Sequence, residues 1–286
     1  MTTIKPMRFA PKMILCPLDM SATSRTVLSW ARLFAETYHA KLQLLHAEWP
    51  EYPPYFFPSQ EPELEARAGQ QRAALGRSLA KLASETLGTD LSSEIAVLEG
   101  PAVEVILNRA ASEKPDLILM GSHGRSGISR LRLGSVAENV VLAASTPTLV
   151  VKAHANGAPV KISRVLCPVN LTEEAHRGLR LSAELAGAFG AQLVVLHAVE
   201  EGVFDLKVKH QELCQWVPAE VRSRCDLVEV VRHGNPAEQI LLTAREQGID
   251  LIVLEAGRRP FLDFTVLGTT AERVIRHADP AVLVVP

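Results

Sequence analysis

The segment MILCPLDMS, residues 13–21, recurs as RVLCPVNLT at residues 164–172, and this repetition decides the fold. A second pair follows at the same offset of 151 residues, KLQLLHAE over QLVVLHAVE. Two later pairs match at an offset of 134, EVILNRAASEKPDLILM over EQILLTAREQGIDLIVL and LGSVAENVVLAASTPTLVV over LGTTAERVIRHADPAVLVV. The chain therefore contains two copies of one structural unit. We expect one domain over residues 1–155 and a second over 156–286, joined by HANGAPVK.

Each copy alternates short apolar runs with helical patterns. The runs MILCPL, LQLLHA, IAVL, LILM and TLVV of the first copy hold only four to six residues, as in parallel strands that are buried on both faces. Helical spacing of apolar residues lies between them, at Val27, Ala31, Phe34, Ala35 and Tyr38, and within 64–87, 101–113 and 135–144. With right-handed crossovers, this alternation predicts an α/β fold with an open parallel sheet covered by helices.

Three helix starts carry residues that favour such positions. Ser21 or Thr23 is expected to cap the first helix, and Ser135 the fourth. Pro101 is expected in the first turn of the third helix, where the missing amide hydrogen costs nothing.

Composition limits the function classes. The 286 residues are 47% hydrophobic, which supports packed cores, and the formal net charge is -2, so no overall positive field attracts nucleic acid or an anionic membrane. No run reaches the 18 apolar residues of a membrane span, so we expect a cytoplasmic protein. The four cysteines include no C-x-x-C pair, and Cys16 and Cys167 lie in apolar runs, where we expect small buried residues and no metal site.

Two loops at strand ends indicate a ligand site. Ligands of such sheets bind beyond the carboxyl ends of the strands, where the strand order reverses. Asp19 follows the first strand, and GSHGRSGISRLRLGS, residues 121–135, follows the fourth. The glycine spacing of this second loop fits neither a P-loop nor a dinucleotide fingerprint. A carboxylate can accept hydrogen bonds from ribose hydroxyls, while a helix start after Gly134 and nearby arginines attract phosphates, so the pair predicts a nucleotide site.

These residues carry a family resemblance. Gly121-x2-Gly124-x9-Gly134-Ser135, together with Pro17-Leu18-Asp19-x-Ser21, resembles the ATP-binding type of universal stress protein, over essentially the whole chain as two tandem copies. The resemblance implies two Rossmann-like domains of the adenine nucleotide α-hydrolase type. Each would hold a five-stranded parallel sheet of order 3-2-1-4-5 flanked by helices. It also implies ATP, ADP or AMP as the ligand, with Mg²⁺ as an accompanying ion.

The resemblance assigns binding residues but no catalytic or metal-ligating ones. The end of the first strand and the second strand would meet adenine and ribose, through Pro17, Leu18, Asp19, Ser21 and Leu45. The fourth strand, its loop and the following helix would surround ribose and phosphates, through Met120, Gly121, His123, Gly124, Arg125, Gly134, Ser135 and Val136.

The second copy departs from this motif. Asn170 stands in place of Asp19, Glu255 in place of Gly121 and Arg258 in place of Gly124, while Gly268-Thr269 remains. Side chains at the glycine positions would crowd a phosphate path, and Glu255 would repel an anion. We therefore expect ordinary ATP binding to be lost in the second copy.

Other features leave alternatives open. His46 and His197 occupy equivalent positions, which the repeat explains through a shared structural role, although a paired function is the alternative. His123 could contact a phosphate or only shape its loop. The aromatic segment WPEYPPYFFP, residues 49–58, is expected to pack within the chain or to face a ligand or partner.

Three functions are compatible with these residues. The first is a nucleotide-binding regulatory protein of the stress response, in which the second copy is a built-in pseudo-dimer partner and a homodimer can form. The second is an enzyme with at most weak ATPase or phosphate-transfer activity, although no catalytic constellation accompanies Asp19 and His123. The third is a nucleotide-free scaffold that binds another small molecule. The sequence identifies no protein partner.

Overall fold

The computed structural model describes residues 9–49, 60–88, 91–123, 133–153, 160–200, 205–256 and 268–286. The chain forms two compact units of the same α/β design, one containing β1–β5 with α1–α4 and the other β6–β10 with α5–α9. The expected boundary near residue 155 and the aromatic residues 50–58 lie outside the described residues, so both expectations stay predictions.

Strands and helices alternate along both units. The first unit contains β1 (Met13–Pro17), α1 (Thr23–Tyr38), β2 (Lys41–Glu48), α2 (Glu61–Leu87), β3 (Ser93–Glu99), α3 (Ala102–Glu113), β4 (Leu117–Gly121), α4 (Ser135–Ala143) and β5 (Thr148–Val151). The second contains β6 (Arg164–Val169), α5 (Ala175–Phe189), β7 (Gln192–Val199), α6 (Leu206–Trp216), α7 (Ala219–Arg222), β8 (Leu227–His233), α8 (Pro236–Glu246), β9 (Leu251–Glu255), α9 (Thr269–His277) and β10 (Ala281–Val285). Among the described helices, none combines the length and the apolar character that a membrane crossing needs.

The strand order confirms the expected fold class. In the first unit the strands lie in the order β3-β2-β1-β4-β5, and each neighbouring pair is parallel. The second unit repeats the arrangement as β8-β7-β6-β9-β10. The order reverses between β1 and β4, where crossover connections leave the sheet in opposite directions. A crevice is therefore expected at the carboxyl ends of these two strands.

Burial separates central strands from edge strands. Ile14, Leu15 and Cys16 of β1 are fully buried, as the apolar run predicts, and burial raises the pKa of the Cys16 thiol. The expectation of burial on both faces is wrong for IAVL, because β3 is only partly buried. β3 is an edge strand, with a neighbouring strand on one side alone.

The predicted α1 face is correct, but the predicted caps are not. Val27, Ala31, Phe34 and Ala35 are buried against the sheet. Ala22 holds the N-cap position, without a side-chain hydrogen bond. The Ser21 hydroxyl lies one residue farther out and accepts a hydrogen bond from the Thr23 amide at 3.3 Å. Because Thr23 already has helical geometry, it cannot cap the helix.

At two other helix starts, Pro101 and Ser135 lie one position from their expected roles, although α4 begins at Ser135 as predicted. Pro101 is the N-cap of α3 and precedes its first turn. Gly134 is the N-cap of α4, with an extended backbone at φ -68° and ψ 144°, so Ser135 is the first helical residue and does not cap. α2 begins at Glu61, three residues before the predicted start.

An aspartate links the start of β4 to the start of β1, a contact that sequence reasoning did not anticipate. One Asp116 carboxylate oxygen accepts hydrogen bonds from the Lys12 amide at 2.7 Å and the Met13 amide at 3.0 Å. In the second unit, Asp250 accepts bonds from the amides of residues 163 and 164 at the same two distances. Both aspartates thus fasten the strand pair at which the sheet order reverses.

Replacing Asp116 with Ala should lower the free energy of unfolding of the first unit by about 1–2 kcal/mol, because two hydrogen bonds to a charged group at an exposed site are lost. Urea denaturation of the whole chain measures the effect, and Asp250→Ala is the matched change in the second unit. Asp116→Asn keeps one acceptor oxygen and should cost less. A wild-type denaturation curve for Asp116→Ala would contradict this role.

Candidate functional site

A cavity of about 370 Å³ lies in the first unit at the carboxyl ends of β1 and β4. This volume is within the range of roughly 300–1,000 Å³ found for small-molecule pockets. Ten of the predicted site residues line it, namely Pro17, Leu18, Asp19, Leu45, Met120, Gly121, His123, Gly134, Ser135 and Val136. Their binding roles stay predictions, and Gly124 and Arg125 lie outside the described residues.

The cavity also contains residues that sequence reasoning missed. α1 contributes Thr23, Ser24 and Val27, and α3 contributes Ala102 and Ile106. With Leu45 and Ala47 of β2, the α3 side chains form an apolar part of the cavity lining, the apolar slot. Inward residues of an amphipathic helix have the same spacing whether they meet the core or a cavity, so the sequence carried no signal for them.

Asp19 is held in a fixed orientation by its own loop. Its Oδ1 accepts hydrogen bonds from the Ser21 amide at 3.0 Å and the Ser24 hydroxyl at 3.2 Å. Its Oδ2 is buried and has no hydrogen-bond partner among the described residues. A buried carboxylate oxygen without a donor is costly, so this atom is an acceptor for a ligand or a water molecule. Ser21 does not line the cavity but orients the residue that does.

The start of α4 also lines the cavity. The Gly134 amide donates to the Ser122 carbonyl at 2.7 Å, which fixes the helix start against the end of β4. The first bond within the helix runs from the Glu138 amide to the Gly134 carbonyl at 2.9 Å. The amides of residues 135–137 therefore lack intrahelical acceptors and carry the positive end of the helix dipole. Such a helix start attracts anions.

His123, two residues after the end of β4, also lines the cavity. Its Nδ1 lies 2.8 Å from the Ser122 hydroxyl, while its Nε2 is buried without a partner among the described residues. Burial lowers the pKa of His123, and the positive charge of Lys152 lowers it further. The imidazole is therefore neutral near pH 7 and presents an uncharged ring nitrogen in the cavity wall.

Gly121 is required by helix packing rather than only by ligand access. A Cβ built at Gly121 would lie 2.7 Å from Thr23 Cγ2, which is closer than two carbon atoms can approach. Thr23 is buried, and its branched side chain has few alternative rotamers. The close approach of α1 to β4 therefore requires glycine at position 121, whether or not a ligand binds.

The second unit has a glutamate, Glu255, at the position that aligns with Gly121. Glu255 ends β9, and its Oε1 lies 3.6 Å from Arg177 Nε. A Cβ at Gly178 would make ordinary contact with Glu255 at 3.7 Å, and Gly178 aligns with Val27 of the first unit. The strand-end side chain of the second unit thus lies next to a glycine of α5. Burial raises the pKa of Glu255, Glu174 raises it further, and Arg177 opposes this shift.

The remaining motif positions of the second unit are partly retained. Asn170 is exposed, and its Oδ1 accepts bonds from the Thr172 amide at 3.2 Å and hydroxyl at 2.9 Å, as Asp19 does from its own loop. Gly268 is the N-cap of α9, like Gly134 in the first unit. Gly257 and Arg258 lie outside the described residues. The second unit keeps the helix start but loses the acid and gains a carboxylate at the strand end.

The two aligned histidines have the structural role that the repeat predicts. His46 Nδ1 donates to the Leu18 carbonyl at 2.6 Å, and His197 Nδ1 donates to the Val169 carbonyl at 3.0 Å. The same contact occurs where the motif is intact and where it is altered, so it serves the fold. Cys167 is buried as expected, and burial raises its pKa to about 12. Among the described residues, no three His, Cys, Asp or Glu side chains are arranged to hold a metal ion.

Gly121→Ala should lower the free energy of unfolding of the first unit by about 1–3 kcal/mol, the usual cost of overpacking. Thr23→Ser removes the methyl group that the new Cβ would meet, so the double variant should recover most of the lost stability. Urea denaturation of the two single variants and the double variant gives the coupling between the sites. Purely additive effects would show that Thr23 is not the obstacle.

Comparisons with known proteins agree with this architecture. The model of the Universal stress protein family matches residues 11–152 and again residues 161–286. A universal stress protein of Methanocaldococcus jannaschii is 43% identical over 72 residues, which cover 25% of this chain and 41% of that protein's length. One from Mycolicibacterium smegmatis is 25% identical over 300 residues, covering 95% of this chain and 96% of the relative.

Solved structures show the same fold. The crystal structure of a universal stress protein from Archaeoglobus fulgidus matches with a TM-score of 0.69 and 22% identity, and the match covers 96% of both chains. Since the family model accounts for both repeats, the chain belongs to the universal stress protein family, with two family domains in tandem.

Proposed function

We propose that the first domain binds an adenine nucleotide, ATP or else ADP or AMP, and that this binding is the activity of a stress-response regulatory protein. The observation that carries the proposal is the buried, unpartnered Oδ2 of Asp19 in a cavity that the start of α4 also lines. Asp19 Oδ2 offers an acceptor for sugar hydroxyls, and the start of α4 attracts anions. A nucleotide combines sugar hydroxyls and anionic phosphates in one molecule.

The apolar slot between β2 and α3 supports a base as the third ligand group. Leu45, Ala47 and Ile106 provide a lining without charge, next to the loop that carries Asp19. A flat aromatic base loses water on entering such a slot, which favours binding. Sugar, phosphate and base therefore each have a suitable surface in one cavity.

Rough magnitudes support affinity in the micromolar range. Hydrogen bonds that involve a charged partner contribute about 1.5–3 kcal/mol each. A micromolar dissociation constant needs about -8 kcal/mol in total. Three or four contacts to phosphates together with burial of the base are sufficient. Arg125, Arg130 and Arg132 of the loop after β4 would add charge, as would Mg²⁺ that accompanies the nucleotide.

One nucleotide site per chain follows from the differences between the domains. In the second domain an anion would meet the Glu255 carboxylate at the strand end, and a ribose would find the neutral Asn170. Tethering keeps the second domain at an effective concentration of about millimolar order, so it can serve as a built-in partner without its own ligand. The homodimer and the cytoplasmic location stay predictions from the sequence.

We propose that the first domain binds its nucleotide without rapid turnover. In the proposed complex Asp19 Oδ2 accepts a ribose hydroxyl and Oδ1 is bonded to its own loop, so neither oxygen is left to act as a general base. We therefore propose slow hydrolysis at most. Following ADP formation over hours with saturating ATP and Mg²⁺ distinguishes a binder from an enzyme.

Identification of a copurified ligand tests the proposal directly. Protein purified without added nucleotide is denatured, and the released small molecules are separated by chromatography and identified by mass spectrometry. An adenine nucleotide near one equivalent per chain is the expected result. If none is released and no ATP binding is detectable at millimolar concentration, both the nucleotide-binding and the hydrolytic functions fail, and the nucleotide-free scaffold remains.

Asp19→Asn should weaken ATP binding by about ten- to a hundredfold, because it removes the charge that accepts the ribose hydroxyls while the loop bonds to Oδ1 can persist. Isothermal titration calorimetry measures the affinity. Asn170→Asp is the matched change in the second domain and should not create a second site, since Glu255 remains. Equal affinity of wild type and Asp19→Asn would rule out this role of Asp19.

A further inference from the structure

Ser24, the second residue of α1, is a buried lining residue of the cavity. Its amide donates to the Ser21 carbonyl at 3.0 Å, which fixes its backbone at the start of the helix. Its hydroxyl lies 3.2 Å from Asp19 Oδ1. A carboxylate accepts hydrogen bonds at both oxygens, so the Ser24 hydroxyl is the donor. Ser24 therefore directs its O–H group at the one acid that lines the cavity among the described residues.

Two donors from different elements converge on the same oxygen of Asp19. The Ser21 amide reaches Oδ1 from the loop at 3.0 Å, and the Ser24 hydroxyl reaches it from the helix. Together they fix the plane of the carboxylate and leave Oδ2 buried, without a partner among the described residues. Without the Ser24 hydroxyl, Oδ1 would keep a single bond, about which the carboxylate could turn.

The second domain has the same turn without a hydroxyl at the position of Ser24. The residue that follows Asp19, Met20, has a left-handed backbone with φ 64°, and its counterpart Leu171 has φ 60°. The position aligned with Ser24 is Ala175, the first residue of α5. The left-handed turn therefore forms in the absence of this hydroxyl.

The polar side chain of the turn differs in burial between the two domains. Asp19 is half-buried and lines the cavity, whereas Asn170 is exposed. Both bonds to Asn170 Oδ1 come from one loop residue, Thr172, through its amide at 3.2 Å and its hydroxyl at 2.9 Å. A hydroxyl donor on the helix thus accompanies a polar side chain in the cavity, and a hydroxyl donor on the loop accompanies one at the surface.

We infer that Ser24 is a positioning residue that holds Asp19 Oδ2 toward the cavity and thereby gives the first domain its selectivity for ribose hydroxyls. The inference rests on the proposed nucleotide binding and adds to it a residue of α1. Ser24 acts through Asp19, so its contribution depends on the hydroxyls that Asp19 accepts. Its loss should weaken the binding of nucleotides that carry these hydroxyls and spare nucleotides that lack them.

Ser24→Ala tests the inference through a ratio of affinities. ATP and 2′,3′-dideoxy-ATP, which lacks both ribose hydroxyls, are titrated by calorimetry into wild type and variant as whole chains. Wild type should bind ATP about tenfold more tightly or better, because only ATP uses the charged acceptor. Ser24→Ala should lower this ratio about threefold or more, the size of one hydrogen bond. Affinity for the dideoxy compound should stay within about twofold.

The chain offers a matched control on the same helix. Ser29→Ala removes a hydroxyl that bonds to the Arg25 carbonyl at 2.9 Å and does not line the cavity, so it should leave the ratio unchanged. Ala175 occupies the equivalent place in α5, so Ser24→Ala should fold, as circular dichroism would confirm. Should it not fold, Ser24→Cys, with a weak donor in place of the hydroxyl, carries the same expectation and the same contrary result.

The outcomes distinguish this inference from the proposed function. If wild type binds neither nucleotide, the proposed function fails, and the inference fails with it. If wild type binds both nucleotides equally well, nucleotide binding stands, and the roles of Asp19 and Ser24 are overturned. If wild type prefers ATP and Ser24→Ala leaves the ratio unchanged, only the role of Ser24 is overturned. Equal losses for both nucleotides would indicate a structural role and also overturn it.

Discussion

The parallel pairing of β1 with β4 is the constraint on which the rest of each domain depends. Because β1 also pairs with β2, the crossovers on its two sides leave the sheet in opposite directions, and the loops at the carboxyl ends separate there. Asp116 fastens the start of this strand pair, while Thr23 and Gly121 pack closely at its other end. These contacts fix both ends of the buried strand pair. The loops beyond the carboxyl ends of the strands carry the polar groups of the cavity.

The two domains provide an internal comparison of which features belong to the fold. The histidine bond to the loop after the first strand, the aspartate link and the glycine N-cap of the last helix occur in both. These contacts persist where the acid and the strand-end glycine have been replaced. They therefore belong to the fold that both domains share. Asp19 differs between the domains, so the proposed binding function can be assigned to it without affecting the shared architecture.

Much of the architecture could be predicted from the sequence, for physical reasons that are local. Short apolar runs identify buried parallel strands because both of their faces must be nonpolar, and the repeat doubles that signal. The strand order itself came from the family resemblance, since run lengths do not encode which strands are neighbours. Asp19 and Gly134 could be located in advance because ligands of such sheets meet the loops at strand ends.

Features that depend on distances between remote segments could not be predicted. The Gly121 requirement arises from a methyl group about a hundred residues earlier in the chain, and the lining from Ile106 resembles ordinary helix burial. Ser135 has the right chemistry for a cap, but the extended backbone of Gly134 takes that position. In each case the sequence contained the residue but not its neighbour in space.

The number of ATP molecules bound per chain tests the central claim most directly, because the account assigns nucleotide binding to one of two domains with the same fold. Calorimetric titration of the whole chain, or equilibrium dialysis with radiolabelled ATP, measures this ratio at saturation. The account predicts one ATP per chain. Two equivalents per chain, or none at millimolar ATP, would contradict it.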